Sequence, residues 1–365
     1  MAGFQREHLL RIGFGIDTNR GAGSQPVPER ETIVAAVDAM VEEGIIAERA
    51  GFHSVRVPER HGRTDCYFPG SLQLLTILAR ETERVAIGAF TMVNTLYHPM
   101  LIAEQCAMID NISRGRLFMA WARGKDYWNV FGVPRERLLG RYLENVRIIE
   151  QAYLGERFSF HGDFYDVDDA ILSPQPFQQP RFPFWGGGQT PEAIARCGRI
   201  AEAWAGDEAP FVHSDWTKTV DSYRESAVAH GKTPFVVMMR SGWVADSFED
   251  AMKEFGNGYI DRLRLRIAAR GEFPSFPDFE DPRRITPEAV AEHVVLGSAA
   301  QCIERLEFYE EELGVDYITM KFRMPDTSFE RTRDQITRFG EEVVSHFHRK
   351  DPPTLHPAIP EGVRW

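Results

Sequence analysis

FPFWGGGQTPEAIARCGRIAEAWAG, residues 182–206, holds one complete strand–turn–helix–strand unit. FPFWG (182–186) is a short apolar run rich in strand-forming aromatics. The glycines Gly186, Gly187 and Gly188 follow. Glycine is entropically costly in an ordered chain, so three in succession mark a backbone that turns sharply or has to be approached closely. Thr190 is a good N-cap and Pro191 a good first helical residue, which starts a helix through Ala193 to Gly198. EAWAG (202–206) reads as the next strand. A helix that begins right after a strand offers unpaired N–H groups and the positive end of its dipole to an anion, typically a phosphate.

The same alternation runs through the rest of the chain, as expected of repeated βα units around a parallel sheet. RIGFGI (11–16), SVRVP (54–58), RVAIGAF (84–90) and GRLFMAWA (115–122) read as strands one to four. The helices between them run through 32–51, closed by Gly51, then 72–82 and 98–113, and a long helix over 136–155 follows strand four. PFVVMMRSGWVA (234–245) and VDYITMKF (315–322) supply strands seven and eight, with a closing helix over 329–348. The expectation is one α/β domain over 1–365, a TIM (β/α)8 barrel with insertions after strands four and seven, since nothing between the units reads as a linker. RFSFHGDFYDVDDAILSPQP, inside the first insertion (about 157–181), alternates aromatic and polar residues around Gly162 and reads as a β-hairpin. The second insertion (about 263–294) contains ARGEFPSFPDFEDPRRITPE (269–288), too rich in proline for a continuous helix. It reads as a surface loop or as a lid over the active-site mouth. Residues 349–365 form a C-terminal tail.

Composition, at 43% hydrophobic and 26% charged residues, is that of a globular chain that folds without staples. A net charge of −12 argues against nucleic acid as a partner, because phosphate backbones require clustered Lys and Arg. RLRLRIAARG (262–271) is the nearest approach to a basic stripe and reads as the solvated face of a helix. The N-terminus lacks the apolar core and cleavage site of a secretory signal, and no run reaches membrane-spanning length, so no membrane partner is expected. Cys66, Cys106, Cys197 and Cys302 are widely spaced without a CxxC pair, which argues for a reducing cytoplasm and against structural zinc. There is no HExxH, and no metal site is expected.

Active sites in such barrels lie at the C-terminal ends of the strands. PERHGRTDCYFPG (58–70) follows strand two and sets Glu59, Arg60 and His61 side by side. Tyr67, Phe68, Phe90, Tyr97, Trp121, Tyr127, Trp128, Phe131 and Trp185 fall in or near the strand ends and read as an aromatic rim suited to a large planar ligand. Taken singly, His61 is an ordinary hydrogen-bonded histidine, Arg123 and Arg141 are salt-bridge formers, and the glycines are a tight turn. Taken together, a helix-start anion site, two arginines able to grip phosphate and an aromatic rim fit a planar cofactor with a phosphate tail. A dinucleotide fingerprint fits less well. Gly186 and Gly188 match the first half of GxGxxG, and Asp207 and Glu208 lie where a ribose partner would, but position 191 is proline and four βα units precede the turn.

AGFHSVRVPERH (50–61), the stretch 84–124, the FHGDFYDV and SPQP hairpin, FPFWGGGQTPE and VLGSAAQCIERLEFYEEELGVDYI (295–318) occur in that order. From about Arg11 to Phe347 the chain resembles the bacterial luciferase-like, flavin-dependent monooxygenases. The resemblance implies reduced FMN, delivered by a separate NAD(P)H-dependent flavin reductase, and O2 as cosubstrates, with a C4a-peroxyflavin passing one oxygen atom to a small organic substrate. It places Phe90 and Thr91 where the family often has a non-proline cis peptide beneath the flavin ring, with Asn94 nearby as a further cofactor residue. It assigns the phosphate to Arg123, Arg141 and the turn Gly187, Gly188, Gln189, Thr190. His61 matches the second histidine of the family's Glu-His-His signature and is expected as acid or base. Arg60 stands where the luciferase branch has its catalytic histidine, and Ala122 where that branch has a reactive cysteine. Arginine stays charged and only donates hydrogen bonds or stabilises an anion. Light emission is therefore not expected, and a sister branch is implied. A cytoplasmic homodimer, joined through the helices after strands two and three, also follows from the resemblance. Two alternatives stay open: a deazaflavin-dependent hydride-transfer enzyme on the same barrel, and a non-catalytic flavin-binding protein. Hydroxylation, epoxidation and Baeyer–Villiger oxidation stay open as well.

Overall fold

The computed structural model describes residues 10–20, 27–124, 129–206, 213–270, 285–291, 293–324 and 327–347. Its strands are β1 (Arg11–Gly15), β2 (Ser54–Val57), β3 (Ala86–Val93), β4 (Leu117–Ala122), β5 (Phe158–His161), β6 (Asp166–Ala170), β7 (Phe184–Gly187), β8 (Ala203–Ala205), β9 (Val236–Val244), β10 (Val295–Gly297) and β11 (Tyr317–Lys321). The order β9-β11-β1-β2-β3-β4-β7-β8 is parallel throughout, and β8 pairs back onto β9 through Trp204–Val236 and Ala205–Val237, so the barrel closes. These are the strands read from the sequence as one to eight. β5 and β6 form the expected antiparallel hairpin outside the barrel, with Phe160 opposite Val167 and His161 opposite Asp166.

Helices α1 (Arg30–Arg49), α2 (Ser71–Glu81), α3 (Pro99–Ser113), α4 (Leu138–Ala152), α5 (Pro191–Ile200) and α6 (His213–Ala229) follow successive barrel strands. Gly51 closes α1 at φ +86°, a conformation that favours glycine. Pro191 opens α5 and the Thr190 hydroxyl caps it by accepting from the Ala193 N–H. After β9 come the short α7 (Phe248–Ala251), a π-helical segment over Met252–Gly256 and α8 (Asn257–Arg270). The second insertion therefore begins as helix: residues 263–270, assigned to it from the sequence, complete α8. Most of the proline-rich stretch, 271–284, lies outside the described residues, as does the tail. Next come α9 (Pro287–Ala291), α10 (Ala299–Glu311) and α11 (Phe329–Phe339). β10 was not expected. It pairs in parallel with Gly242–Val244, the end of β9 that overhangs the pairing of β9 with β11.

Side chains alternate across the barrel wall. Phe118, Trp185, Phe235 and Tyr317 point inward and pack as one interior layer, with Trp185 ring centroids 4.4 Å from Phe118 and 5.3 Å from Tyr317. Ile12, Phe14, Val55, Ile87, Met119 and Ile318 point outward, into the larger core under the helices. At the N-terminal end of the barrel the buried Arg116 ties β4 to its neighbours. Its guanidinium donates to the carbonyls of Ser113, Val85, Ala79 and Thr82 and to the Thr82 hydroxyl, each at 2.8 Å. Ala79 and Thr82 end α2, where unpaired carbonyls concentrate negative charge. Among the described residues no helix is long and apolar enough to cross a membrane.

Candidate active site

The mouth of the barrel, at the C-terminal strand ends, divides into two arcs. One, formed by β3, β4, β7 and β8, is lined with small residues. Register sets Val93 beside Ala122 and Gly187 beside Ala205. The Phe90–Thr91 peptide here is cis, as the resemblance implies. A Cβ built on Gly187 would stand 3.7 Å from the Thr91 methyl and 4.0 Å from the Trp121 carbonyl, so the glycine leaves a cradle open next to that peptide. Its neighbours have other tasks. Gly186 lets β7 pack on Cys197 of α5, where a Cβ would meet the sulfur at 2.7 Å, and Gly188 lets the turn pack on Ala193.

Arg123 and Arg141 converge on the same corner. Thr95 joins them: its hydroxyl donates to the Arg123 carbonyl at 3.0 Å, and its carbonyl accepts from Arg141 Nε at 3.0 Å. The Arg141 guanidinium also lies over the Tyr165 ring at 4.8 Å. Arg123 is exposed and has no ion-pair partner among the described residues. β4 runs beside β7 through Trp121–Gly186, so the chain leaving β4 into Arg123 adjoins the glycine turn at the start of α5. A cradle beside a flat peptide, two arginines and a helix start fit a planar ring with a phosphate tail. Asn94 is fully buried and its amide donates to Asn145, so it fixes the turn after β3; its Oδ1 has no partner among the described residues.

The second arc, formed by β1, β2 and β11, is polar from the interior upward. Ser54 bonds Tyr317, and Arg56 reaches Thr319 at 3.2 Å and the Phe90 carbonyl at 3.4 Å. At the top sits the buried Asp17. Burial opposes its ionisation, but Lys321, Arg60 and Arg262, together with the Asn19 N–H, outweigh that and hold its carboxyl below the usual range. Arg60 thus belongs to a charged cluster over the mouth, and its buried Nε has no hydrogen-bond partner among the described residues.

His61 stands at the seam between the arcs. Its Nε2 lies 3.0 Å from Glu59 Oε1, and its ring meets Phe131 edge-on at 4.9 Å. Glu59 is buried and also accepts from the Val93 N–H at 2.5 Å and from the Tyr97 hydroxyl. Burial, then the neighbouring Glu59 carboxylate, push the Tyr97 phenol far above its ordinary range, so it remains a donor. A cavity of about 540 Å³ opens beside His61, lined by Tyr67, Phe68, Tyr97, Phe131 and Leu101 among others.

The aromatic rim is therefore not one rim. Tyr67, Phe68, Tyr97 and Phe131 line the outer cavity, whereas Trp185 is buried in the barrel interior and Trp121 faces outward to Phe184. Strand alternation decides this: Ala120, not Trp121, shares the inner face with Phe118. Tyr127 and Trp128 lie outside the described residues. Glu59 and Arg56 were missed as site residues. The signal for Arg56 was its inward parity with Ser54; the partners of Glu59 are 34 and 38 residues away along the chain.

A family model described as luciferase-like monooxygenase matches residues 13–317. The chain belongs to this family. It is 26% identical over 366 residues to the oxygenase component of the flavin-dependent trigonelline monooxygenase of Acinetobacter baylyi, covering 91% of this chain and 96% of that one. It is 29% identical over 189 residues to an F420-dependent glucose-6-phosphate dehydrogenase of Nakamurella multipartita, covering 48% of this chain and 54% of that protein. Among solved structures, the oxygenating constituent of 3,6-diketocamphane monooxygenase of Pseudomonas putida, in complex with FMN, superposes with a TM-score of 0.77. The match covers 92% of this chain and 98% of that one at 15% identity, a likeness of fold alone. The barrel is thus of the luciferase-like type.

Proposed function

We propose that this protein is the oxygenase component of a two-component monooxygenase. Reduced FMN, supplied by a separate NAD(P)H-dependent flavin reductase, and O2 oxygenate a small organic substrate, giving oxygenated product, oxidised FMN and water. The observation that carries this reading is the small-residue arc: the Gly187 cradle beside the Phe90–Thr91 peptide, with Arg123, Arg141 and the α5 start at one corner. The full-length likeness to a flavin-dependent oxygenase component supports it. The flavin supplies the two electrons. In this reading Thr91 and Phe90 bed the ring, and Arg123, Arg141 and Gly187 to Thr190 hold the phosphate. Arg60, whose guanidinium offers donors only, stabilises a developing oxyanion, and His61 carries a proton between the reacting group and solvent.

Oxygenation is tested by mixing photoreduced FMN and protein with O2. Reoxidation should pass through a spectral intermediate distinct from reduced and oxidised flavin. A direct single-step return to oxidised FMN, or preferential binding of a deazaflavin in anaerobic titration, overturns the reading in favour of hydride transfer. We further place the protein in the cytoplasm, with its NAD(P)H supply, as a homodimer through α2 and α3. Leu101 and Met108 stand exposed on α3, and light scattering reads the mass.

Two substitutions test the phosphate corner. Arg123→Ala should weaken FMN binding about 10- to 100-fold, the range for a charge-assisted phosphate contact, and leave riboflavin binding unchanged. Equal losses for both flavins remove Arg123 from the phosphate site. Glu192, in the first turn of α5, turns its exposed carboxylate back onto its own N–H and the Thr190 side chain, which lowers its pKa. It therefore competes for the donors a phosphate needs. Glu192→Gln should tighten FMN binding about two- to fivefold, by flavin fluorescence titration at low salt, where helix-end charge effects are largest.

A further inference from the structure

We propose that Glu59 is a positioning residue, whose single carboxylate locks the imidazole of His61 to the end of β3 that carries the cofactor bed. The inference deepens the oxygenase reading and rests on it. The Glu59 side chain has no solvent exposure. Oε2 accepts from the Val93 N–H at 2.5 Å, while Oε1 takes the Tyr97 hydroxyl and lies 3.0 Å from His61 Nε2. These partners belong to different segments. His61 lies on the loop after β2, Val93 ends β3 two residues beyond Thr91, and Tyr97 follows the 3-10 turn Asn94–Leu96 that leads into α3. A buried carboxylate is a poor device for stability, because its desolvation offsets most of what its partners return, and an apolar side chain would fill the space at less cost. What a carboxylate supplies here is direction. Its two oxygens accept from a main-chain amide and a phenol and stand against an imidazole, which sets the three in one fixed relation.

The contact with His61 acts through charge and proximity, as an ion pair does. It holds the imidazole in one place beside the end of β3. Tyr97 braces the same oxygen from the opposite segment. The Val93 bond holds the main chain just past the Phe90–Thr91 peptide, where β3 carries a bulge in its pairing with β4. Removing the carboxylate should therefore disturb two functions at once: the proton carrier and the flavin bed.

Two variants separate these. Glu59→Ala removes every acceptor. Amide exchange across 91–97 should rise at least about tenfold while the amides of β9 and β11 stay within about twofold, and FMN and riboflavin should both bind about tenfold more weakly. Glu59→Gln keeps an oxygen for Val93 and loses the charge. FMN binding should stay within about threefold of wild type, while the decay of the flavin intermediate after oxygen mixing changes as it does in His61→Asn. The double variant Glu59→Gln/His61→Asn should add nothing further. An exchange increase spread evenly over the barrel, unchanged exchange at 91–97 in Glu59→Ala, or wild-type decay in Glu59→Gln each overturns the proposal. Wild-type protein that binds no FMN sinks the oxygenase reading instead, and the exchange measurement still decides whether Glu59 anchors the end of β3.

Discussion

A His61→Asn variant should bind FMN within about threefold of wild type and oxygenate its substrate about 10²- to 10⁴-fold more slowly, the usual contribution of a positioned acid or base. Asparagine keeps a polar planar group at the seam but exchanges no proton near neutral pH. Neighbouring groups do not replace the imidazole. Arg60 offers donors only, and the phenol of Tyr97 is held protonated by burial and by Glu59. Because His61 stands at the seam and not in the phosphate corner, affinity for the cofactor should survive. The measurement is product formed per reduced FMN supplied in rapid mixing, alongside a fluorescence titration of oxidised FMN. Turnover within about threefold of wild type would remove His61 from proton transfer and leave that task to solvent.

Arg116→Ala should destabilise the protein by about 3–5 kcal/mol, the range for removing one member of a buried polar network. The side chain is buried, and without it the carbonyls of Ala79, Thr82, Val85 and Ser113 lose their shared donor. Burial lowers the pKa of the guanidinium, the neighbouring Glu48 raises it in part, and an arginine stays charged through both. Arg116→Lys should recover only part of the loss, because an ammonium donates from one point and does not span the end of α2 and the start of β3. The denaturant midpoint should fall at unchanged slope, and the variant, once folded, should bind FMN normally, since Arg116 lies at the end of the barrel opposite the site. Wild-type stability would mean that water replaces the guanidinium without cost.

How much of this was legible beforehand depended on the range of the interaction. Elements with a strong period and local punctuation, such as α5 between Thr190 and Ile200 or the hairpin around Gly162, were readable because their determinants sit within a few residues. β10 escaped because three residues show no alternation, and it exists only because β9 overhangs its other partner. Arg116 in SRGRL looks like any turn arginine; apart from Ser113, its acceptors come from the ends of two distant elements. Arg60 and His61 were singled out, and Glu59 beside them was passed over, since nothing local announces that Val93 and Tyr97 close on its carboxylate. Trp121 and Trp185 were misplaced for a simpler reason: counting aromatics near strand ends ignores which face of the strand each occupies.

The split of the mouth into a spare half with two arginines at its corner and a crowded, charged half has an evolutionary consequence. On the proposed reading, the wall that would retain a diffusible redox carrier is encoded between residues 86 and 205, and the wall that would meet the compound to be altered is encoded nearer the two ends. Drift or recombination outside that stretch can retune what is consumed with little effect on what is borrowed, Glu59 excepted, so diversification of chemistry on this scaffold has an open path that leaves most of the carrier's berth intact.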